Sequence, residues 1–180
     1  ASRVAGRPVK WVEDRLEHLL AANAATGRVT KIEAAVTGEG EVTAFEITQL
    51  EDCGAYLRAP EPASLYRMHG NLSGPYKLRH MRVRNQVALT NTVPSGLNRG
   101  FGGPQLYYAI ERLMDKIAAT LNIDPIELRK RNLVSSSEFP YRCPAGALLD
   151  SGDYQRSVDT ATVEGKLPDL LRRRDNARAE

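Results

Sequence analysis

The chain has 180 residues, with Lys+Arg 25 against Asp+Glu 22 and a formal net charge of +3. That length suits one domain, or two small ones, at roughly 100–200 residues each, and a content of 42% hydrophobic and 26% charged residues excludes collagen-like, low-complexity and wholly disordered chains. No apolar run reaches the roughly 18 residues of a membrane span, and Cys53 and Cys143 can build neither a disulfide framework nor, with His18, His69 and His80, a spacing that suits a metal.

Residues 8–12 (PVKWV) alternate and predict a short strand. Asp14 to Ala25 predicts a helix with Leu16, Leu19 and Leu20 on one side, ended by Gly27. Residues 29–37 and 42–50 alternate on either side of Gly38-Glu39-Gly40, which predicts an antiparallel hairpin. The chain then leaves the sheet through Gly54, and Pro60 and Pro62 open a short helix to about Met68. After a polar loop at 70–75, residues 77–91 form another strand.

A loop rich in glycine and proline, 93–104, leads into the strongest helical pattern of the chain. Leu106, Ile110, Leu113, Ile117 and Leu121 form its stripe, widened by Tyr107, Met114 and Ala118, and Pro104 suits its first turn. Asn122 breaks this helix, and Asp124-Pro125 with Glu127 starts the next. Residues 134–152 are irregular, a further helix starts at Asp153 or Tyr154, and a last one spans 167–179. The order of elements predicts an α+β fold, an antiparallel or mixed sheet with packed helices, rather than a regular βαβ alternation.

The start, Ala-Ser-Arg-Val, has no Met and no signal-peptide core, and the end is a run of charged residues, so both ends read as those of a piece of a larger protein. Charges of both signs are interspersed. The one basic run, Lys77 to Arg84, alternates with Leu78, Met81 and Val83, as a half-exposed strand with a basic outer face would. A nucleic-acid surface is the rival reading of that run, and no aromatic-rich RNA-binding motif accompanies it.

Chemistry concentrates in Asn98-Arg99-Gly100-Phe101-Gly102-Gly103-Pro104-Gln105. Glycines let the backbone approach a ligand. The helix start that follows offers unpaired N–H groups and favours an anion. Arg99 adds a planar fork of donors, and Phe101 could present a flat apolar wall. A tight strand-to-helix turn with Phe101 in the core accounts for the same residues. The glycine spacing is neither a dinucleotide fingerprint nor a Walker A loop.

RGFGGPQ followed by YYAIERLMDKIAATLNIDPIELRKRNLV resembles the molybdenum hydroxylases, the large molybdopterin-binding chains of xanthine dehydrogenase, aldehyde oxidase and their bacterial relatives. GRPVKWVEDRLEHLL, DCGAYLR and YRCPAGALLDSGDY extend the resemblance from about Gly6 to about Arg178. The family's large chain is several times longer, and this chain corresponds to a central fragment: 1–150 a section of the molybdopterin-binding domain, 151–180 a helical segment leading to the next domain.

The resemblance implies an oxidoreductase that hydroxylates a carbon of an N-heterocycle or aldehyde with oxygen from water. It implies a molybdenum–molybdopterin cofactor, iron–sulfur clusters and FAD on partner domains or subunits, and a cytoplasmic complex without nucleic acid or membrane. Arg99 matches the arginine beside the molybdenum ligands, with Gly100, Gly102, Gly103 and Gln105 around the cofactor. Phe101 matches the aromatic facing planar substrates. Arg67 lies at the spacing of the arginine that polarises purine carbonyls, although a surface salt bridge is its ordinary alternative. In aerobic carbon monoxide dehydrogenases a cysteine follows the loop arginine. Here that position is Gly100, with Cys53 and Cys143 read as small apolar groups elsewhere, which argues against CO oxidation. The family's base glutamate has no match; Glu39, Glu41 and Glu111 read as turn and helix-surface residues. No catalytic residue is therefore expected in this fragment, nor cofactor bound by it alone. A non-catalytic interaction module of the same ancestry is the alternative.

Overall fold

The computed structural model describes residues 1–25, 27–58, 70–96, 99–100 and 102–179. The helix expected near 60–68, with Arg67, and the expected role of Phe101 lie outside the described residues.

Two short helices come first, α1 (Ser2–Ala5) and α2 (Arg15–Ala21). Asp14 and Glu17 form a reciprocal capping box at the start of α2. Trp11, Leu16, Leu19 and Leu20 remain 64–75% exposed, so this region contributes nothing to the core. No strand forms at 8–12 because no neighbouring strand completes its hydrogen bonds. The helix also ends earlier than its composition predicts: Ala22 is extended, and Ala24 forms a parallel bridge with Ser95.

The hairpin prediction holds. β1 (Gly27–Val36) and β2 (Val42–Asp52) pair antiparallel, with Ile32 opposite Ile47 and a register shift at Ala35/Val36. β3 (His80–Ala88) adds parallel to β2, shorter than the predicted 77–91, and makes a mixed sheet of order β1-β2-β3. Arg82 and Arg84 of its basic run are exposed.

α3 (Gly103–Leu121) lies across this sheet against β1 and touches α4 (Pro125–Asn132). Its apolar face meets Val42, Phe45 and Ile47 of β2 together with Tyr76, Leu78, Leu128 and Leu133. Met114 sits at the centre of this contact, fully buried, whereas Leu113 and Leu121 are only half-buried. The stripe is therefore centred on Leu106, Ile110, Met114, Ile117 and Ala118. Asn122 closes α3 in the left-handed conformation, and Asp124 caps α4 through the Ile126 and Glu127 amides.

Glu111 is not a plain surface residue. Its carboxylate accepts from Tyr76 Oη at 2.8 Å and from Arg129 Nε at 2.7 Å, joining α3, α4 and the 70–79 segment. The region 134–152 is less irregular than its composition suggests: it holds a 3₁₀ turn (Ser136–Glu138) and a two-stranded ribbon of β4 (Tyr141–Arg142) and β5 (Leu148–Leu149). α5 (Tyr154–Glu164), capped by Asp153, and α6 (Leu167–Ala179) complete the chain as predicted. No helix among the described residues is long and apolar enough to cross a membrane.

Candidate cofactor site

The inward face of the sheet changes character along its length. The row Ala34–Phe45–Met81 is apolar, and so is Ile32–Ile47–Val83. The next row is Thr30–Gln49–Asn85, and beyond it Arg28 stands opposite Glu51. Gln49 and Glu51 are as buried as Ile47. α3 is placed with its apolar body over the first rows and its N-terminus over the polar end, because Arg28 Nη1 donates to Gly102 O at 3.1 Å.

The glycine-rich loop occupies that polar end. Gly102 is the N-cap of α3 with φ 87° and ψ −22°, a left-handed conformation available to glycine at little cost. Gly100 also has a positive φ, 83°, and its missing Cβ would stand 3.2 Å from the Pro104 ring. The Gly103 N–H donates to Gly100 O at 2.9 Å, and Leu106 N–H donates to Gly102 O at 3.3 Å as the first bond of the helix. Gly102 and Gly103 are buried while Arg99 and Gly100 are exposed. The loop thus has a buried root and an exposed rim, with Arg99 on the rim.

Beside the loop, a groove of about 710 Å³ runs between α3 and the outer edge of β1, lined by Arg28, Thr30, Pro104, Gln105, Tyr108 and Arg112 among others. The loop's entry is also braced. Asp52, the last residue of β2, accepts from Gly54 N at 2.8 Å and from Thr90 Oγ1 at 2.6 Å. The Thr90 hydroxyl first, then the Gly54 amide, holds its carboxyl below the usual carboxylate range. Cys53 beside it and Cys143 are both buried free thiols.

Of the residues expected at a site, Arg99, Gly100, Gly102, Gly103 and Gln105 fall together at one helix start. The Arg28–Glu51 pair below them was not anticipated. Its signal is present in β2 itself: Gln49 and Glu51 occupy the same alternation phase as Phe45 and Ile47, whereas Leu50 points outward at 47% exposure. Polar residues in the buried phase of a strand mark a network. Among the described residues there is no cluster of three His, Cys, Asp or Glu side chains able to hold a metal ion.

This arrangement fits the oxygen-rich, anionic end of a molybdenum–pterin group. Two glycines leave the backbone open, a 19-residue helix directs its positive end there, and Arg99 supplies a guanidinium on the rim. The protein itself would contribute hydrogen bonds and charge rather than metal ligands.

Residues 1–133 match the family described as molybdopterin cofactor-binding domain. The nicotine 6-hydroxylase large subunit of Paenarthrobacter nicotinovorans is 34% identical over 99% of this chain and 22% of its own length. The carbon monoxide dehydrogenase large chain of Hydrogenophaga pseudoflava is 33% identical over 88% of this chain and 20% of its own. The crystal structure of quinoline 2-oxidoreductase from Pseudomonas putida 86 superposes with a TM-score of 0.88 at 30% identity, covering 99% of this chain and 23% of that one. The chain spans about a fifth of the length of the curated relatives it matches, 22% and 20% for these two. With an α+β fold, a glycine-rich loop at the start of its longest helix and these similarities, the chain belongs to the molybdopterin cofactor-binding domain family and corresponds to a section of a molybdenum hydroxylase large chain.

Proposed function

We propose that in the complete protein this section forms one wall of a molybdenum hydroxylase active site, in an enzyme that hydroxylates a ring carbon of an N-heterocycle or an aldehyde carbon. The observation that carries the proposal is the loop at the start of α3, where two left-handed glycines flank position 101 and Arg99 stands on the exposed rim. When bound, the molybdenum group supplies the oxygen-transfer and two-electron chemistry. The part of this chain is to hold and orient. The α3 N-terminus and the backbone of Gly100, Gly102 and Gly103 favour an anionic group close to the chain, and Gln105 lies in the first turn of the same helix. The Arg99 guanidinium stabilises charge that develops on oxygen. Arg67 and Phe101 are proposed to polarise and to stack on the planar substrate.

N-heterocycles come first among substrate classes because two of the similar proteins are named for nicotine and quinoline. Carbon monoxide is disfavoured by Gly100. With φ 83° and Pro104 at 3.2 Å, this position would strain any residue carrying a Cβ, a metal-linking cysteine included. A base glutamate is to come from elsewhere in the large chain, and iron–sulfur and flavin modules from partner domains or subunits, in a cytoplasmic complex. Residues 151–180 would lead into the next domain, and the section alone would be inactive. The test is turnover of the full-length enzyme with a quinoline- or pyridine-type substrate in ¹⁸O-labelled water. Label in the hydroxylated product supports the proposal, and label incorporated only from ¹⁸O₂ would overturn it.

A further inference from the structure

The Arg28–Glu51 pair has burial that its charge does not favour. The Arg28 side chain is 2% exposed and that of Glu51 0%, with Nη2 and Oε1 3.4 Å apart. Glu51 Oε2 accepts from Asn85 Nδ2 at 3.2 Å, and Asn85 Oδ1 accepts from Gln49 Nε2 at 3.0 Å. Gln49 Oε1 in turn accepts from Thr30 Oγ1 at 3.4 Å. Three strands thus contribute to one buried polar chain beneath the loop.

A buried ion pair is weak support for stability, since well-packed apolar residues of similar volume often serve as well or better. What the pair does here is directional. Arg28 Nη1 donates to Gly102 O, the same carbonyl that accepts the first helical N–H of α3 from Leu106. Two donors on one carbonyl fix the plane of the Gly102–Gly103 peptide. That plane carries the Gly103 N–H, which closes the loop on Gly100 O at 2.9 Å. Glu51 holds Arg28, Arg28 holds Gly102, and Gly102 holds the rim. Without this, a left-handed glycine has many orientations of similar energy.

We propose that Arg28, locked by Glu51 and through it by Asn85 and Gln49, is a positioning residue that sets the orientation of the Gly102–Gly103 peptide, and through it Gly100, toward the molybdenum group. The role toward the cofactor rests on the function proposed above; the effect on the loop does not. A site group displaced by about 1 Å costs on the order of 10²-fold in rate, and outer-shell partners of metal sites typically 10–100-fold.

The experiment uses the full-length protein with Arg28→Met, Glu51→Gln and the double variant Arg28→Met/Glu51→Leu. Hydrogen exchange of the Gly100, Gly102, Gly103 and Gln105 amides is followed in cofactor-free protein, and thermal stability is followed in parallel. In cofactor-loaded protein, kcat, KM and molybdenum content are measured. The double variant carries the decision, because it removes both charges of the pair together while leaving Gly102 without its side-chain donor. The expected result is a melting temperature close to that of the parent, exchange at these amides faster by roughly 10-fold or more, and kcat lowered roughly 10–100-fold at unchanged molybdenum content. Glu51→Gln, which retains the shape and the contact with Asn85, is expected to give a smaller effect in the same direction. A double variant that regains stability together with parental exchange and kcat would overturn the proposal, because the pair would then be structural only. If the parent protein holds no molybdenum, faster loop exchange still supports the positioning role while the functional reading fails. Parental exchange in every variant sinks the positioning role whatever the cofactor.

Discussion

Asn132, the last residue of α4, accepts the backbone N–H of Val42, the first residue of β2, at 2.7 Å. Its Nδ2 donates to Gly40 O at 2.9 Å and to Leu128 O at 2.8 Å. One buried amide thus replaces the strand that would otherwise satisfy this corner, and ties the hairpin to the helices that carry the core. Replacement by leucine of similar volume leaves Val42 N–H and Gly40 O buried without partners, each worth about 1–3 kcal/mol. Asn132→Leu is expected to lower the stability of the chain by about 2–4 kcal/mol in urea denaturation followed by circular dichroism.

Gly54 turns the chain out of β2 against the segment that leads to the loop. Its φ is 73°, and a Cβ there would stand 2.4 Å from Val93 O, a backbone atom that cannot swing aside. Gly146 shares a positive φ, 105°, with nothing within 4 Å. Gly146→Ala is therefore expected to cost only the backbone penalty of a positive φ, about 1–3 kcal/mol. Gly54→Ala is expected to cost clearly more and to loosen the bridge between Ala24 and Ser95. Parallel denaturation curves of the two variants check the difference.

Asp52 gives a pH dependence of known sign. Its folded-state pKa is lowered, first by the Thr90 hydroxyl and then by the Gly54 amide, from an ordinary value of 3.8. A lowered folded pKa stabilises the chain above the ordinary value, and that contribution is lost as pH falls through the folded one. The stability gap between the parent chain and Asp52→Asn is expected to stay constant from about pH 7 to about pH 5 and to close below the ordinary value. Urea midpoints across that range measure it, and a gap that widens on acidification would refute the assignment.

Legibility in the sequence followed periodicity. The hairpin, α3, α4, α5 and α6 were readable because each carries its own period and caps, as Asp124-Pro125 and Asn122 do. Residues 8–12 alternate equally well, yet form no strand, because alternation says nothing about whether a partner edge exists. The loop was singled out in the sequence by resemblance, and its described residues Gly100, Gly102 and Gly103 form a turn at a helix start, while their role toward a cofactor is part of the proposal. The Arg28–Glu51 pair was not read from the sequence: the polar residues in the buried phase of β2 hint at a network, but Arg28 lies 23 residues from Glu51 and only pairing brings the two together. Only register shows that Arg28 faces Glu51 and that Asn85 stands beside them. Glu111 is the half-exposed residue of α3 that its position predicts, but its partners Tyr76 and Arg129 come from other elements and periodicity does not show them.

Arg99 tests the loop's chemistry. In the full-length enzyme, Arg99→Ala removes a charged donor from the rim while leaving the Gly102–Gly103 root in place. Turnover is expected to fall by roughly 10²–10³, as for other preorganised donors at developing charge, with molybdenum content retained. Steady-state kinetics normalised to molybdenum decide this, and an unchanged kcat would contradict the assigned role.

Elemental analysis of the full-length protein, produced in a host that matures the molybdenum cofactor, decides whether the loop at the start of α3 serves a molybdenum site. Stoichiometric molybdenum, released together with a pterin on denaturation, is the expected result. Correctly folded, fully matured protein without molybdenum would contradict the proposed function.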